Sequence, residues 1–290
     1  MKQAIYAYLG PQGTYSHEAA IYASDTARDV AVCALVECIS ISEVFELVER
    51  GKADYGVVPI ENALEGSVNE TLDAFVFNSG AKIIREFVMD IHHNLITVSG
   101  ADLSTIKTVA SHPQALAQCR RWLIKNLPGA ATMATTSTAA AVEQLAENDP
   151  ETTSERAAIG TVLAANLFGA EVLEEQIEDH VGNQTRFVVL GNESSPRTGR
   201  DKTSLALFLW QDRPGALLMI LSEFVYAGFN LTKIESRPTK RALGDYMFWI
   251  DVEGHIDDLN LKTALDSLRL KLREVKVLGS FPVAKTNQED

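Results

Sequence analysis

The chain has 290 residues, 46% hydrophobic and 22% charged, with 39 acidic against 26 basic side chains and a formal net charge of −13. That length allows two domains or one large domain with a satellite, and the acidic balance argues against nucleic acid and anionic membranes, both of which require a basic face on their partner. The three cysteines, Cys33, Cys38 and Cys119, are odd in number and lack metal-ligand spacing, so free thiols in a reducing cytoplasm are expected, together with no signal peptide and no bilayer-spanning segment.

Residues 5–9 predict a short strand ending in Gly10-Pro11-Gln12-Gly13-Thr14-Tyr15-Ser16, with a helix following over 17–22. A glycine-bearing turn between strand and helix exposes backbone N–H groups at a helix start, where an anion can sit. It is not a phosphate loop, because the Lys-Ser/Thr ending is missing. Alone, it also reads as a tight turn with a serine cap. Ser40-Ile41-Ser42-Glu43 is a capping box opening a helix that ends near Gly51. Residues 54–60 predict a buried strand that delivers Glu61-Asn62-Ala63-Leu64-Glu65-Gly66-Ser67, and Ser67-Val68-Asn69-Glu70 forms a second capping box for a helix through Phe77. In open α/β sheets ligands bind beyond the carboxyl ends of strands, where both turns fall.

Residues 89–99 are rich in β-formers and are expected to carry the chain out of a first lobe. His92 and His93 lie there, but neighbouring strand residues face opposite sides, which makes them a poor metal pair. A strand ending at residues 109–110 leads to Ser111-His112-Pro113-Gln114, a third capping-box pattern with proline in the first turn. Thr135-Thr136-Ser137-Thr138 precedes an alanine-rich helix over 139–146; residues 157–160 read as a strand and 161–168 as a helix stopped by Gly169. Strand, hydroxyl-bearing turn and helix thus recur, predicting mostly parallel sheets. The chain is expected to return to the first lobe around residues 172–180, leaving a hinged cleft walled by helix N-termini. Each such end favours an anion by about 0.3–1 kcal/mol at exposed sites.

Gly182-Asn183-Gln184-Thr185-Arg186-Phe187 then runs into the apolar strand Val188-Val189-Leu190. Thr185 can give or relay a proton, Arg186 can hold a carboxylate through two parallel hydrogen bonds, and Phe187 can exclude water. Taken alone, the segment also reads as a strand that begins at a turn, with Arg186 solvated.

Residues 192–202 are polar and predict a linker. Beyond it come a strand over 203–211, a helix from Pro214 with an apolar face of Leu217, Ile220, Leu221, Phe224 and Val225, a strand over 230–238, and a strand on which Tyr246, Phe248, Ile250 and Val252 alternate. A helix marked by Leu261, Leu265, Leu268 and Leu272 and a strand over 275–281 complete the order βαββαβ, the ferredoxin-like split motif, whose exposed sheet edges favour pairing with a second copy.

In this order, Gly10 to Ser16, Gly56-Val57-Val58-Pro59-Ile60-Glu61-Asn62, Gly66-Ser67-Val68, Ser111-His112-Pro113-Gln114-Ala115-Leu116, Asn183-Gln184-Thr185-Arg186-Phe187, Gly215-Ala216-Leu217-Leu218 and Glu235-Ser236-Arg237-Pro238 resemble the prephenate dehydratases that carry a C-terminal ACT regulatory domain. Ala63 departs from the serine that many members have after the Glu-Asn pair, and no chorismate mutase helices precede Gly10, so the resemblance is to the single-activity form. It implies an α/β fold: a two-lobed, periplasmic-binding-protein-like catalytic domain over 1–193 (lobe one about 1–90 plus 175–193, lobe two about 95–172), a linker over 194–202, an ACT domain over 203–283 and a tail over 284–290.

The implied reaction is decarboxylating dehydration of prephenate to phenylpyruvate, with no metal or other cofactor, because the ring itself accepts the electrons released with carbon dioxide. The resemblance assigns proton donation to Thr185, carboxylate orientation to Arg186 and a dry wall to Phe187. Thr14, Ser16, Glu61, Asn62, Ser67, Ser111 and Gln114 would bind substrate, Glu61 only if protonated or paired. L-Phenylalanine would bind the ACT domain near Gly215, Ala216, Leu217, Leu218, Asn230, Glu235, Ser236, Arg237 and Pro238, in a homodimer or homotetramer paired through that domain. Arogenate is the competing substrate, and a cytoplasmic amino-acid or oxoacid sensor is the non-catalytic alternative.

Overall fold

The computed structural model describes residues 3–27, 33–147, 154–242 and 244–284. The expected tail beyond Ala284 and the Cys33 side chain lie outside the described residues.

Lobe one opens with β1 (Ala4–Leu9), α1 (Tyr15–Asp25), β2 (Cys33–Cys38), α2 (Ile41–Glu49), β3 (Tyr55–Asn62), the two-residue β4 (Gly66–Ser67), α3 (Asn69–Asp73) and β5 (Lys82–Asp90). The serine half of the Ser40 box forms as expected, its hydroxyl accepting from Glu43 N–H at 3.2 Å, while the Glu43 carboxylate reaches one residue beyond the cap and accepts from Ile39 N–H at 2.7 Å. The Ser67 box does not form. Val68 stands at the N-cap of α3 with no side-chain hydrogen bond.

Residues 91–93 cross to lobe two, which contains β6 (Asn94–Thr97), β7 (Thr108–Ser111), α4 (Pro113–Gln118), α5 (Arg120–Asn126), β8 (Ala131–Ala134), α6 (Thr138–Glu147), β9 (Arg156–Gly160), α7 (Val162–Phe168) and β10 (Glu171–Glu174). The segment expected as one run of strand over 89–99 is therefore split between the lobes. The chain returns as β11 (Gln184–Gly191), which inserts between β3 and β5 to give the order β2-β1-β3-β11-β5. Lobe two has the order β10-β6-β9-β7-β8. The sheets are mixed rather than mostly parallel. β1 pairs in parallel with β2 and β3, but β11 is antiparallel to both its neighbours, because it re-enters the lobe from the opposite end.

The third unit runs β12 (Asp201–Phe208), α8 (Ala216–Ala227), β13 (Leu231–Pro238), β14 (Tyr246–Glu253), α9 (Leu259–Lys271) and β15 (Glu274–Pro282), with antiparallel order β13-β14-β12-β15. This is the expected βαββαβ arrangement, although its first strand takes in Asp201 and Lys202 from the expected linker segment.

Alternation along β14 has consequences on both faces of this sheet. Phe248, Ile250 and Val252 pack under the two helices with Ile220, Phe224, Leu261 and Leu265. Met247 and Trp249 face the other way and join Ala206, Phe208, Leu278 and Phe281 in one core with Val58, Ile60, Phe75, Ile83, Val188 and Leu190 of lobe one. Burying each such large side chain stabilises by about 1.5–3 kcal/mol, so this sheet is cemented to lobe one. On α8 the buried stripe is Ala216, Ile220 and Phe224. Val225, expected inside, is exposed together with Leu218 and Tyr226, because the helix meets the sheet along one narrow face.

Candidate active site

Between the lobes lies a cleft of about 380 Å³. Its lobe-one wall is the start of α1 with Thr14, Tyr15 and Ser16, the end of β3 with Asn62, and β11 with Thr185 and Phe187; lobe two contributes His112, Gln114 and Gln118 around α4 and Thr136, Ser137 and Thr138 at the start of α6. His93 and Asn183 come from the two crossing segments, and Leu9, Pro59, Val68 and Ile91 add apolar surface.

Thr14 is the N-cap of α1: its hydroxyl accepts from His17 N–H at 3.4 Å and donates to Pro11 C=O at 2.8 Å. Across the cleft, Ser137 Oγ accepts from Ala140 N–H at 2.9 Å in the first turn of α6. Two helix N-termini of opposite lobes thus border one space, the arrangement in which backbone N–H groups and helix dipoles draw an anion. Thr161 Oγ1 joins the lobes directly by donating to Gly13 C=O at 2.7 Å.

Thr185 is buried, on β11 between its pairings with Asn62 of β3 and Met89 of β5. Asn62 Nδ2 donates to Thr185 Oγ1 at 2.8 Å and to Asn183 Oδ1 at 2.9 Å, while Asn62 Oδ1 accepts from Leu64 and Glu65 N–H at 2.9 and 3.1 Å. Those two backbone donors fix which end of the Asn62 amide is oxygen. Asn62 lines the cleft, but its amide is committed to protein partners. Phe187 is 1% exposed and stacks on Phe87 at 5.8 Å, an apolar floor beside the threonine.

His93 Nε2 meets Gln118 Oε1 at 2.9 Å, and burial lowers its pKa, so the ring is neutral. Tyr15 donates its phenolic hydrogen to the His92 carbonyl, and burial raises the phenol well above its ordinary value.

Arg186 does not reach the cleft. Strand alternation places Thr185 and Phe187 on one face of β11 and Arg186 on the other, toward the third unit. Its Nε lies 2.6 Å from Glu86 Oε2 and its Nη1 2.7 Å from Asp251 Oδ2 on β14. Burial works against both charges of the Arg186–Asp251 pair. Their attraction prevails, holding the Asp251 carboxyl below its usual value.

Glu61 is also turned away, 3.0 Å from Lys233 Nζ. Ser67 donates to Glu235 Oε2 at 2.5 Å and accepts from Lys233 Nζ at 2.7 Å, which is why it caps no helix. Ser111 is fully buried and donates to Ile159 C=O at 2.7 Å inside lobe two. Of the expected substrate contacts, Thr14, Ser16, Asn62, Gln114, Thr185 and Phe187 share the cleft; Glu61, Ser67, Ser111 and Arg186 do not.

Alternation also divides the stretch expected to shape the effector pocket. Glu235 and Arg237 face lobe one, Arg237 meeting Asn69 Oδ1 and Asp73 Oδ1 at 2.6 Å each, while Ser236 and Pro238 are exposed. Gly215, at a φ of 84°, turns the chain into α8; Ala216 behind it is buried, Leu217 and Leu218 are exposed, and so is Asn230.

His93, His112, Gln118, Asn183, Tyr15 and the Thr136 to Thr138 start of α6 are cleft residues that the motif reading did not assign to substrate. Gln118 carried one usable signal: it stands four residues after Gln114, on the same helix face.

Two α/β lobes closing a largely apolar cleft bordered by helix N-termini and hydroxyl and amide side chains, joined to a ferredoxin-like sheet, define a small-anion enzyme or binder with an attached regulatory domain. A family model for prephenate dehydratase matches residues 6–195 and one for the ACT domain matches residues 206–270. The bifunctional chorismate mutase/prephenate dehydratase of Neisseria gonorrhoeae is 42% identical over 279 residues, spanning 96% of this chain and 74% of that protein. The prephenate dehydratase of Methanocaldococcus jannaschii is 42% identical over 278 residues, spanning 95% of this chain and 97% of that protein. The structure of prephenate dehydratase from Arthrobacter aurescens in complex with L-Phe has a TM-score of 0.86 at 38% identity, covering 97% of this chain and 90% of that one. The chain belongs to the prephenate dehydratase family, carbon–oxygen lyases, and carries the family's C-terminal ACT domain.

Proposed function

We propose that the chain converts prephenate to phenylpyruvate, carbon dioxide and water within this cleft, with Thr185 as proton donor. Carrying the reading is the position of the Thr185 hydroxyl: it sits on the cleft wall and accepts a hydrogen bond from Asn62, and among the described residues it donates to no protein acceptor. Its own hydrogen is available to the departing substrate hydroxyl. The Asn62 N–H also stabilises the oxygen as that proton leaves.

The ring carboxylate leaves as carbon dioxide and its bonding electrons enter the ring. The ring hydroxyl departs with its electron pair, takes the Thr185 proton and becomes water, and solvent restores the threonine. Aromatisation drives the step, so the protein has to place one proton and keep the carboxylate poorly solvated. General-acid help of this kind contributes about 10²–10⁴-fold. Phe187 and Phe87 supply the dry side. No lysine or arginine is among the described residues lining the cleft, so the substrate's two carboxylates are held by the N-termini of α1, capped by Thr14, and α6 and by Ser16, Gln114 and Ser137.

L-Phenylalanine acts as feedback effector at the ACT domain, near Gly215 and the start of α8, between paired copies. The exposed Leu218, Val225 and Tyr226 and the unpaired edge of β13 support that pairing. The buried free thiols Cys38 and Cys119 support a cytoplasmic location.

The test is turnover of prephenate, followed by phenylpyruvate formation, in the wild type and in Thr185→Ala. Folded Thr185→Ala protein with unchanged kcat removes the assignment of the proton donor.

A further inference from the structure

Beyond Asn62, the hydrogen bonds continue across the hinge. Asn183 Oδ1 accepts from Asn62 Nδ2 at 2.9 Å, and Asn183 Nδ2 donates to Gln118 Oε1 at 3.3 Å. Gln118 Oε1 also accepts from His93 Nε2 at 2.9 Å. Every member has a consistent donor or acceptor role. Asn62 Oδ1 is held by two backbone N–H groups, so its nitrogen must face Thr185 and Asn183. Asn183 must then present oxygen to Asn62 and nitrogen to Gln118.

Asn183 is 3% exposed, and it lies on the segment that returns from lobe two to β11. It contacts α4 of lobe two through Gln118 and the end of β3 of lobe one through Asn62. Without Asn183, one hydrogen of the Asn62 amide loses its side-chain acceptor. The amide can then tilt about its anchored Oδ1 toward Gln184 C=O, which already accepts from Nδ2 at 3.2 Å. A tilted amide no longer donates squarely to Thr185, and the Thr185 hydroxyl is free to turn its hydrogen away from the substrate.

We infer that Asn183 is a positioning residue for the reaction: acting through Asn62, it fixes the rotamer in which Thr185 offers its proton, and its bond to Gln118 ties that rotamer to the placement of lobe two. The inference rests on Thr185 as the donor. It adds that donor orientation is imposed from the hinge, by a residue two positions before the donor whose side-chain amide is engaged by Asn62 and Gln118.

The experiment is a double-mutant cycle on the full chain with Asn183→Ala, Thr185→Ala and the double variant, measuring kcat and KM for prephenate separately. Asn183→Ala is expected to lower kcat by about 10- to 100-fold, the scale on which small misplacements act, with KM changed by no more than about twofold. In the Thr185→Ala background the same substitution is expected to have no further effect on kcat, because there is no hydroxyl left to position. Asn183→Asp keeps the oxygen that receives the Asn62 amide, and is expected to recover most of the kcat lost in Asn183→Ala. Full additivity of Asn183→Ala with Thr185→Ala, or a loss seen only in KM, overturns the inference while leaving Thr185 as donor. An inert Thr185→Ala overturns the donor reading itself. Should Asn183→Ala fail to fold, an Asn183→Asp enzyme as impaired in kcat as Thr185→Ala overturns the inference, and one near wild type upholds it.

Discussion

Arg186 Nη1 and Asp251 Oδ2 lie 2.7 Å apart and tie the strand that carries Thr185 to the ACT sheet. Asp251 is fully buried and also accepts from Ser204 Oγ at 2.6 Å and Trp249 Nε1 at 2.9 Å. The pair's second carboxylate, Glu86, is shared with Lys202 at 2.7 Å. Only one peptide bond therefore separates the candidate proton donor from the anchor of the regulatory domain.

Removing one partner of a buried pair strands the other. Arg186→Met is expected to destabilise the protein by about 3–5 kcal/mol, with much of that restored in Arg186→Met/Asp251→Leu, because a paired charge replaced by apolar side chains is often nearly neutral. Chemical denaturation of both variants measures this. A single variant within 1 kcal/mol of wild type, as an order-of-magnitude bound for an exposed pair, shows that the bridge is not buried in solution.

Much of the fold was legible in the sequence, and the failures have one physical origin. Period-two strands and hydroxyl-bearing turns located β1, β3, α1, α2 and the whole βαββαβ unit, since these depend on local pattern. Arg186, Glu61, Glu235 and Arg237 were misplaced because each sits on a strand face that meets another domain. A motif read as a row of neighbours conceals that successive side chains point oppositely. Ser67 and Ser111 looked like caps, but a buried hydroxyl takes whichever acceptor the tertiary structure offers: Glu235 for one, Ile159 C=O for the other. His93 became visible as a cleft residue only in the folded chain, whereas Gln118 was signalled solely by its spacing from Gln114.

Gly279 marks how closely the ACT domain approaches lobe one. A Cβ built there would stand 2.2 Å from Ile83 C=O and 2.7 Å from Ile83 N, backbone atoms of β5 that cannot step aside. Gly279→Ala is expected to cost about 3 kcal/mol, the upper part of the overpacking range. It should loosen the domain contact before the lobes unfold, so a thermal scan should split into two transitions. A single transition at the wild-type midpoint would sink this account.

Acid should weaken the protein in two stages. Burial lowers the pKa of His17 and His93, so the unfolded chain takes up protons near pH 6.5 while the folded one does not, and stability falls as pH drops from there. For Glu235 and Asp251 burial opposes the charge, but Ser67 and Arg237 around the first and Arg186 and Ser204 around the second outweigh it. Their folded pKa values lie below 4.5 and 3.8, so their contribution is complete above those values and is lost as pH falls through the folded ones. Melting temperatures from pH 7 to 3 should show a shallow decline below about 6.5 and a steep one below about 4.5. His93→Gln should flatten part of the first and Glu235→Gln part of the second. A decline beginning only on the alkaline side would contradict both assignments.

The cleft makes an unusual demand on the ionic-strength dependence of turnover. The substrate is a dianion, the chain carries a net charge of −13, and no lysine or arginine is among the described residues lining the cleft. Long-range forces therefore repel the substrate, while attraction comes from N–H groups and helix ends that act only at contact distance. Salt screens the first far more than the second. Raising ionic strength from about 0.01 to 0.15 M, where the Debye length contracts from about 30 to 8 Å, should raise kcat/KM for prephenate by roughly twofold. A site built on an arginine clamp would respond with a steep fall instead. Steady-state kinetics in a chloride series distinguish the two, and a steep fall would return a cation, Arg186 first among them, to the substrate.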